Sequence, residues 1–218
     1  GISVAPDGTV WVADTHEHRI MVYDNEGTVL RSFGAYGTGE GEFIYPTDIA
    51  FGPDGLVYVS EYGGNDRIQV FDENGGWRRT IGGPGSEPGQ FDRPQSLAIT
   101  RDGTSLYVAD ARNRRIQRVH LPSSNAEVIH QGGLDGIIQV PFGIDVVPSG
   151  QLLVSDTGSH RIVRLDPSGE VVSHAGGWGW GDGQLRDPWA VGWFDGAFLT
   201  LDSGNNRILK IVPERTGR

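Results

Sequence analysis

The hydrophobic residues of this chain come in short runs, each closed by a turn, and the pattern recurs from one end to the other. Ile2–Ala5, Asp48–Phe51, Ser96–Thr100, Gly143–Val147 and Ala190–Trp193 are runs of strand length that open successive repeats. A turn follows each, as in Pro6-Asp7-Gly8, Pro53-Asp54-Gly55 and Pro148-Ser149-Gly150. There Pro presets φ and Gly takes the positive-φ position. Second strands are predicted at Val10–Ala13, Leu56–Ser60, Leu106–Ala109, Leu152–Ser155 and Phe198–Leu201. Third strands start at a recurring Arg, as in Arg19–Tyr23, Arg67–Phe71 and Arg161–Leu165. A second turn, such as Asp24-Asn25-Glu26-Gly27 or Asp166-Pro167-Ser168-Gly169, leads into Thr28–Phe33, Trp77–Ile81, Ala126–His130 and Val171–Ala175. The count is nineteen strands, with the fifth repeat ending after its third, near Val212.

The period is clearest at the recurring arginines, which fall at 19, 67, 115, 161 and 207, spaced 48, 48, 46 and 46 residues apart. Repeats of four short strands have a period of roughly 40–50 residues. Tight hairpins make each repeat an antiparallel meander. Such a sheet is apolar on both faces, and radial stacking of sheets buries both. The reading is an all-β propeller forming one domain over 1–218, with blades at roughly 1–46, 47–94, 95–141, 142–188 and 189–218. The connectors (Gly34 to Pro46, Gly82 to Pro94, Gly132 to Pro141, Gly176 to Pro188) are Gly-rich and are expected to be flexible.

The order "Pro, two residues, apolar strand, Gly turn, Val-Ala-Asp, a few residues, Arg-Ile" resembles the NHL repeat family, over nearly the whole chain. The resemblance implies a propeller that is usually six-bladed. The family includes bacterial sensor and surface domains, RNA-binding ubiquitin-ligase domains and an amidating lyase, and it favours an extracytoplasmic setting here. Five repeats are visible, so the expectation is five blades with a thin last one, within a longer six-bladed parent. A preceding segment or a partner would supply the closing strand. The amidating lyase places metal-binding His directly after the blade-opening Pro. Those positions here are Thr47, Gln95, Phe142 and Trp189, so that activity does not carry over.

Charge and composition narrow the choices. The formal charge is −10, and the arginines are spread over all five repeats, which argues against nucleic acid and anionic membrane as partners. No apolar run approaches a membrane span. The absence of Cys excludes disulfides and thiolate metal sites.

The repeat acids Asp14, Glu61, Asp110, Asp156 and Asp202 precede Arg19, Arg67, Arg115, Arg161 and Arg207 at near-constant spacing. Recurrence in every blade argues for a structural role, with carboxylate and guanidinium bonding the turn between strands or pairing across blades. Of the six histidines, His18 and His160 share a position just before the Arg, but in the first and fourth blades. His130 and His174 share an outer-strand position, and His16 with His18 could chelate only weakly from one loop. No metal or cofactor is expected. Gly37–Gly41 and Gly82–Gly85 lack the Lys of a phosphate loop and are read as connectors. No nucleophile elbow, catalytic triad or calcium loop appears.

The strongest departure from the repeat is aromatic. Trp178, Trp180, Trp189 and Trp193 fall within 16 residues, and surface Trp is favoured at binding hot spots. The plainer reading puts Trp189 and Trp193 in the core between blades and exposes only Trp178 and Trp180. Thr47, Asp48, Gln95, Ser96, Phe142 and Trp189 follow the blade-opening Pro and are expected near the axis at one mouth. The resulting expectation is a non-catalytic binding or assembly module for a protein or carbohydrate. One alternative is a lactonase- or lyase-like propeller enzyme using the first-strand acids Asp48 and Asp145. Another is a structural subunit of a larger complex.

Overall fold

A computed structural model describes residues 1–134 and 136–212. Asp135 of the third connector and residues 213–218 lie outside the described residues. Among the described residues the chain is all-β, with nineteen strands in five antiparallel sheets. Blade 1 holds β1 (Ile2–Val4), β2 (Val10–Asp14), β3 (Arg19–Tyr23) and β4 (Val29–Phe33). Blade 2 holds β5 (Tyr45–Phe51), β6 (Val57–Tyr62), β7 (Arg67–Phe71) and β8 (Trp77–Ile81). Blade 3 holds β9 (Pro94–Ile99), β10 (Ser105–Asp110), β11 (Arg115–His120) and β12 (Asn125–Gln131). Blade 4 holds β13 (Pro141–Val146), β14 (Leu152–Asp156), β15 (Arg161–Leu165) and β16 (Val171–Gly176). Blade 5 holds β17 (Pro188–Phe194), β18 (Ala197–Asp202) and β19 (Arg207–Ile211). Among the described residues no helix is long and apolar enough to cross a membrane.

The chain divides into two compact units. One is Gly1–Asn113 with Gln117–Val128, and the other is Arg114–Ile116 with the chain from Ile129 onward. Within the first, Trp11, Ala13, Ile20 and Val22 of blade 1 pack with Ile49, Val57, Val59 and Phe71 of blade 2. Blade 2 turns Ala50, Tyr58, Ile68 and Val70 toward Leu97, Leu106 and Val108 of blade 3. In the second, β17 packs on β13 and β14.

Three features differ from the sequence reading, each for a local reason. The first strands of blades 2 to 5 begin at or just before Pro46, Pro94, Pro141 and Pro188, earlier than the apolar runs suggest. Each Pro lies opposite the repeat acid in the register, beside a β-bulge. A first strand position tolerates the missing N–H. Second, the residue before the repeat Arg is left-handed in four blades: His18, Arg114, His160 and Asn206 have φ of 56°, 55°, 57° and 52°. His and Asn are enriched in that conformation, which accounts for the recurrence of His18 and His160 without a ligand. Blade 2 turns there through Gly63 and Gly64 instead, with φ of 108° and 96°.

Third, the connectors are tied down. In the first, Gly37 N–H donates to Phe43 O (3.1 Å) and Phe43 N–H to Ala35 O (2.8 Å). Gly85 with Phe91 and Gly179 with Leu185 repeat that geometry. Phe43, Phe91 and Leu185 are buried beneath. Gly82 must be Gly: its φ is +72°, and a Cβ there would lie 2.3 Å from the Phe91 ring.

Candidate functional site

The repeat acid is the clasp that holds each connector. Glu61 is fully buried and takes Nε of Arg67 (2.6 Å), the amide N–H of Ile44 (2.9 Å) and Nε2 of Gln69 (3.0 Å). Arg67 then donates to Gly39 O at 2.7 Å and Gln69 to Glu42 O at 2.7 Å, both on the preceding connector. Asp202 repeats this with Nε of Arg207 (2.8 Å), Nδ2 of Asn205 (2.8 Å) and the Arg186 N–H (2.7 Å). Asp110 accepts from Asp92 N–H, Asn113 and Gln117, and Asp156 from Gln139, Val140 and Ser159 N–H. Asp14 meets Nε of Arg19 at 3.0 Å and is part-exposed.

The Glu61 and Asp202 carboxyls are shifted in opposite directions. Burial pushes the Glu61 carboxyl above its ordinary 4.5, outweighing the bonds from Arg67, Ile44 and Gln69. Burial also raises Asp202, but the bonds from Arg186, Asn205 and Arg207 together outweigh it and hold the group below 3.8.

The first-strand acids are stitches between blades. Asp48 Oδ2 accepts from Ser96 Oγ (2.7 Å) and Leu97 N–H (2.9 Å) on the next blade, and Oδ1 from Ile49 N–H (2.9 Å). Burial raises its pKa in spite of those bonds. Asp145 likewise reaches the Trp193 N–H at 2.7 Å. Thr47 Oγ1 donates to Pro94 O at 2.9 Å and also contacts Ser60. Asp48 and Ser96 thus face each other, while the Thr47 hydroxyl is turned to Ser60 and Pro94. Gln95 sits beside them with a buried Nε2 that meets no acceptor.

The histidines do not converge. His18 Nδ1 bonds Ile44 O, His130 Nδ1 meets Gly169 O at 2.9 Å, and His160 Nδ1 accepts from Asp187 N–H at 3.2 Å. Among the described residues no three His, Asp or Glu side chains gather where they could hold a metal ion.

The aromatic residues form two groups. Trp178 and Trp180 lie on the fourth connector with ring centroids 4.6 Å apart and planes at 74°, 56% and 59% exposed. The Arg186 guanidinium stands 5.6 Å from the Trp180 ring centre. Trp189 stacks on Phe142 at 5.2 Å and 25°, and it is exposed rather than filling the core. Trp193 is half-buried against Phe198.

Recurring blades, repeated clasp geometry and ordered connectors define a β-propeller fold. The NHL repeat matches residues 1–23, 43–71 and 139–165 of the chain. Protein brain tumor of Drosophila melanogaster is 36% identical over 50 residues, which cover 23% of this chain and 5% of that protein. The chain therefore matches only a small part of that relative's length. Among solved structures, a catalytically inactive virginiamycin B lyase from Staphylococcus aureus with quinupristin is similar at a TM-score of 0.68 and 19% identity, covering 99% of this chain and 70% of that one. A nidogen/laminin complex is similar at a TM-score of 0.75 and 20% identity, covering 100% of this chain and 81% of that one. At these identities the likeness is one of fold.

Proposed function

We propose that this chain is a recognition module that binds a protein partner through Trp178, Trp180 and Arg186 on the fourth connector. One observation carries the reading. The first, second and fourth connectors share the same backbone bonds and the same buried plug, so folding does not dictate what they display outward. Tyr36 and Thr38 occupy the two display positions of the first connector, and Pro84 and Ser86 those of the second. The fourth places a large exposed ring at both. Aromatic residues with Arg are the usual composition of interface hot spots, and exposed apolar surface of this kind marks contact sites. Two rings set edge to face present a wedge, which suits a protein cleft better than a flat sugar. The nidogen/laminin likeness supports a propeller that works by binding another protein. An enzymatic role has less support, because Asp48 and Asp145 are committed to stitching blades. The Trp189–Phe142 stack is the second candidate surface.

The test is a Trp178→Ala/Trp180→Ala double variant. Partners captured from the native source by the parent chain are identified, and affinity is then measured for both proteins. The expected result is an unchanged melting temperature with at least a tenfold loss of affinity. Equal affinity for the identified partner overturns the placement, and binding only to a glycan array overturns the protein partner.

A further inference from the structure

Blade 2 opens with a longer hairpin than the blades that follow it. In blades 3, 4 and 5 the first strand starts at Pro94, Pro141 or Pro188, and the second ends at the repeat acid. In blade 2 each strand runs one residue further, and Tyr45 pairs with Tyr62 across the ladder. Their rings lie 5.1 Å apart with planes at 32°. The fold does not ask for rings here. The residue before the opening Pro is Arg93, Val140 or Asp187 in the later blades, and the residue after the acid is Thr15, Ala111, Thr157 or Ser203 in the others.

The pair is the middle of a longer strip. The His18 ring stands 5.5 Å from Tyr45, and the Tyr36 ring 4.9 Å from His18. At the other end the Arg93 guanidinium stands 4.8 Å from the Tyr62 ring centre. All five residues belong to the first compact unit. Tyr36 is 69% exposed, and the other four are half-buried. The strip is held at both ends. His18 Nδ1–H donates to Ile44 O, and the Arg93 amide N–H donates to Asp66 Oδ1 at 2.5 Å. The hydrogen-bonding capacity of the strip is unspent. The hydroxyls of Tyr36, Tyr45 and Tyr62 bond nothing among the described residues, and the Arg93 guanidinium meets no acceptor there, with its Nε buried. A matching ligand is apolar in its rings, rich in acceptors and poor in donors.

We propose that this strip binds a proline-rich segment of a partner protein in the polyproline II conformation. Proline supplies a carbonyl and no N–H, and in that helix the carbonyls make no internal bonds. Pyrrolidine rings seat between the tilted tyrosine rings, and the carbonyls take the hydroxyls and Arg93. An oligosaccharide brings a donor with nearly every hydroxyl acceptor and stacks on flat faces, whereas neighbouring rings here are tilted by 32° to 68°. A nucleic acid would bring its phosphates to a chain of formal charge −10, with one guanidinium at the strip. The strip shares no residue with the surface formed by Trp178, Trp180 and Arg186.

Titration of fluorescein-labelled decaproline with the full chain, read by anisotropy, tests this. Saturable binding is expected, clearly tighter than that of a labelled Gly-Ser decamer. Tyr36→Ala removes a platform, and Tyr45→Phe/Tyr62→Phe keeps both rings and removes only their hydroxyls. Each should weaken binding by about tenfold or more at the parent's melting temperature. Arg93→Gln should weaken it as well. Trp178→Ala/Trp180→Ala should bind decaproline like the parent, which separates this inference from the recognition surface proposed above. It is overturned by decaproline that binds no better than the Gly-Ser decamer, by unchanged affinity in the Tyr variants, or by binding that is lost in the Trp variant instead. Tighter binding of cellohexaose or of a thymidylate decamer at the same residues overturns the proline-rich occupant.

Discussion

The connectors Gly82–Pro94 and Gly176–Pro188 are the same structure with different surfaces. Both fold over a buried plug, Phe91 or Leu185, through a matching pair of backbone bonds. In both, a Gln side chain caps a loop amide: Gln90 takes Glu87 N–H at 3.1 Å, and Gln184 takes Gly181 N–H at 3.0 Å. Asn113 bonds Gly85 O in one, and Asn205 bonds Gly179 O in the other. They differ where folding makes no demand, with Pro84 and Ser86 in the first and two exposed Trp in the second. Residues that fix the loop and residues that decorate it are therefore separable, and substitutions can probe each set alone.

The largest effect should come from the plug. Phe91→Ala is expected to cost about 3–5 kcal/mol by chemical denaturation, whereas Trp178→Ala should stay within about 0.5 kcal/mol. Comparable losses would mean that Trp178 supports the loop. Next comes the clasp. Asp202→Ala strands the Arg186 N–H, Asn205 and Arg207, and should cost on the order of 3 kcal/mol, as for breaking a buried pair.

A smaller effect separates the two clasps by pH. Glu61 has a raised folded pKa, so its linked contribution is full below its ordinary 4.5 and is lost as pH rises through the folded value. Asp202 has a lowered folded pKa, so its contribution is full above 3.8 and is lost as pH falls through the folded value. Destabilisation by Glu61→Gln should shrink with rising pH, and that by Asp202→Asn should grow. Parallel urea titrations of the parent and both variants read the two slopes, and slopes of the same sign would contradict this assignment. The smallest effect contrasts neighbouring glycines. Gly83→Ala meets open space and should be neutral or stabilising by about 0.5 kcal/mol, while Gly82→Ala drives a Cβ into Phe91 and should lower the melting temperature clearly.

Most of the fold is legible in the sequence because the repeat announces its own register. The Arg-Ile step starts β3, β7, β11, β15 and β19 at the predicted residue. The bonds of Asp14, Glu61 and Asp202 to Arg19, Arg67 and Arg207 are legible too, since acid and Arg recur together. Asp48 and Asp145 are not legible, since they look like free polar groups at a mouth. Their partners are chiefly backbone N–H groups of the next blade, which every residue but Pro carries and no sequence pattern marks. The order of the connectors is hidden for a similar reason. Their Gly content suggests flexibility, and only the clasp from a later strand shows them to be held. The reading that put Trp189 in the core fails because position in a strand predicts burial only when a neighbour covers that spot.

The clasp also sets where this chain can be cut and rejoined. Residues 39–44 are bonded to Glu61, Arg67 and Gln69, so this connector is energetically part of the blade that follows it. A gene duplication or engineered splice placed at Pro46 or Pro94 would part an acid from the loop it holds. A junction in the Asp72–Gly76 turn, between the third and fourth strands, leaves this clasp whole and crosses only a local turn. The inheritable module is therefore offset from the visible blade by one strand and a connector. Copies exchanged at that offset carry a complete set of bonds with them.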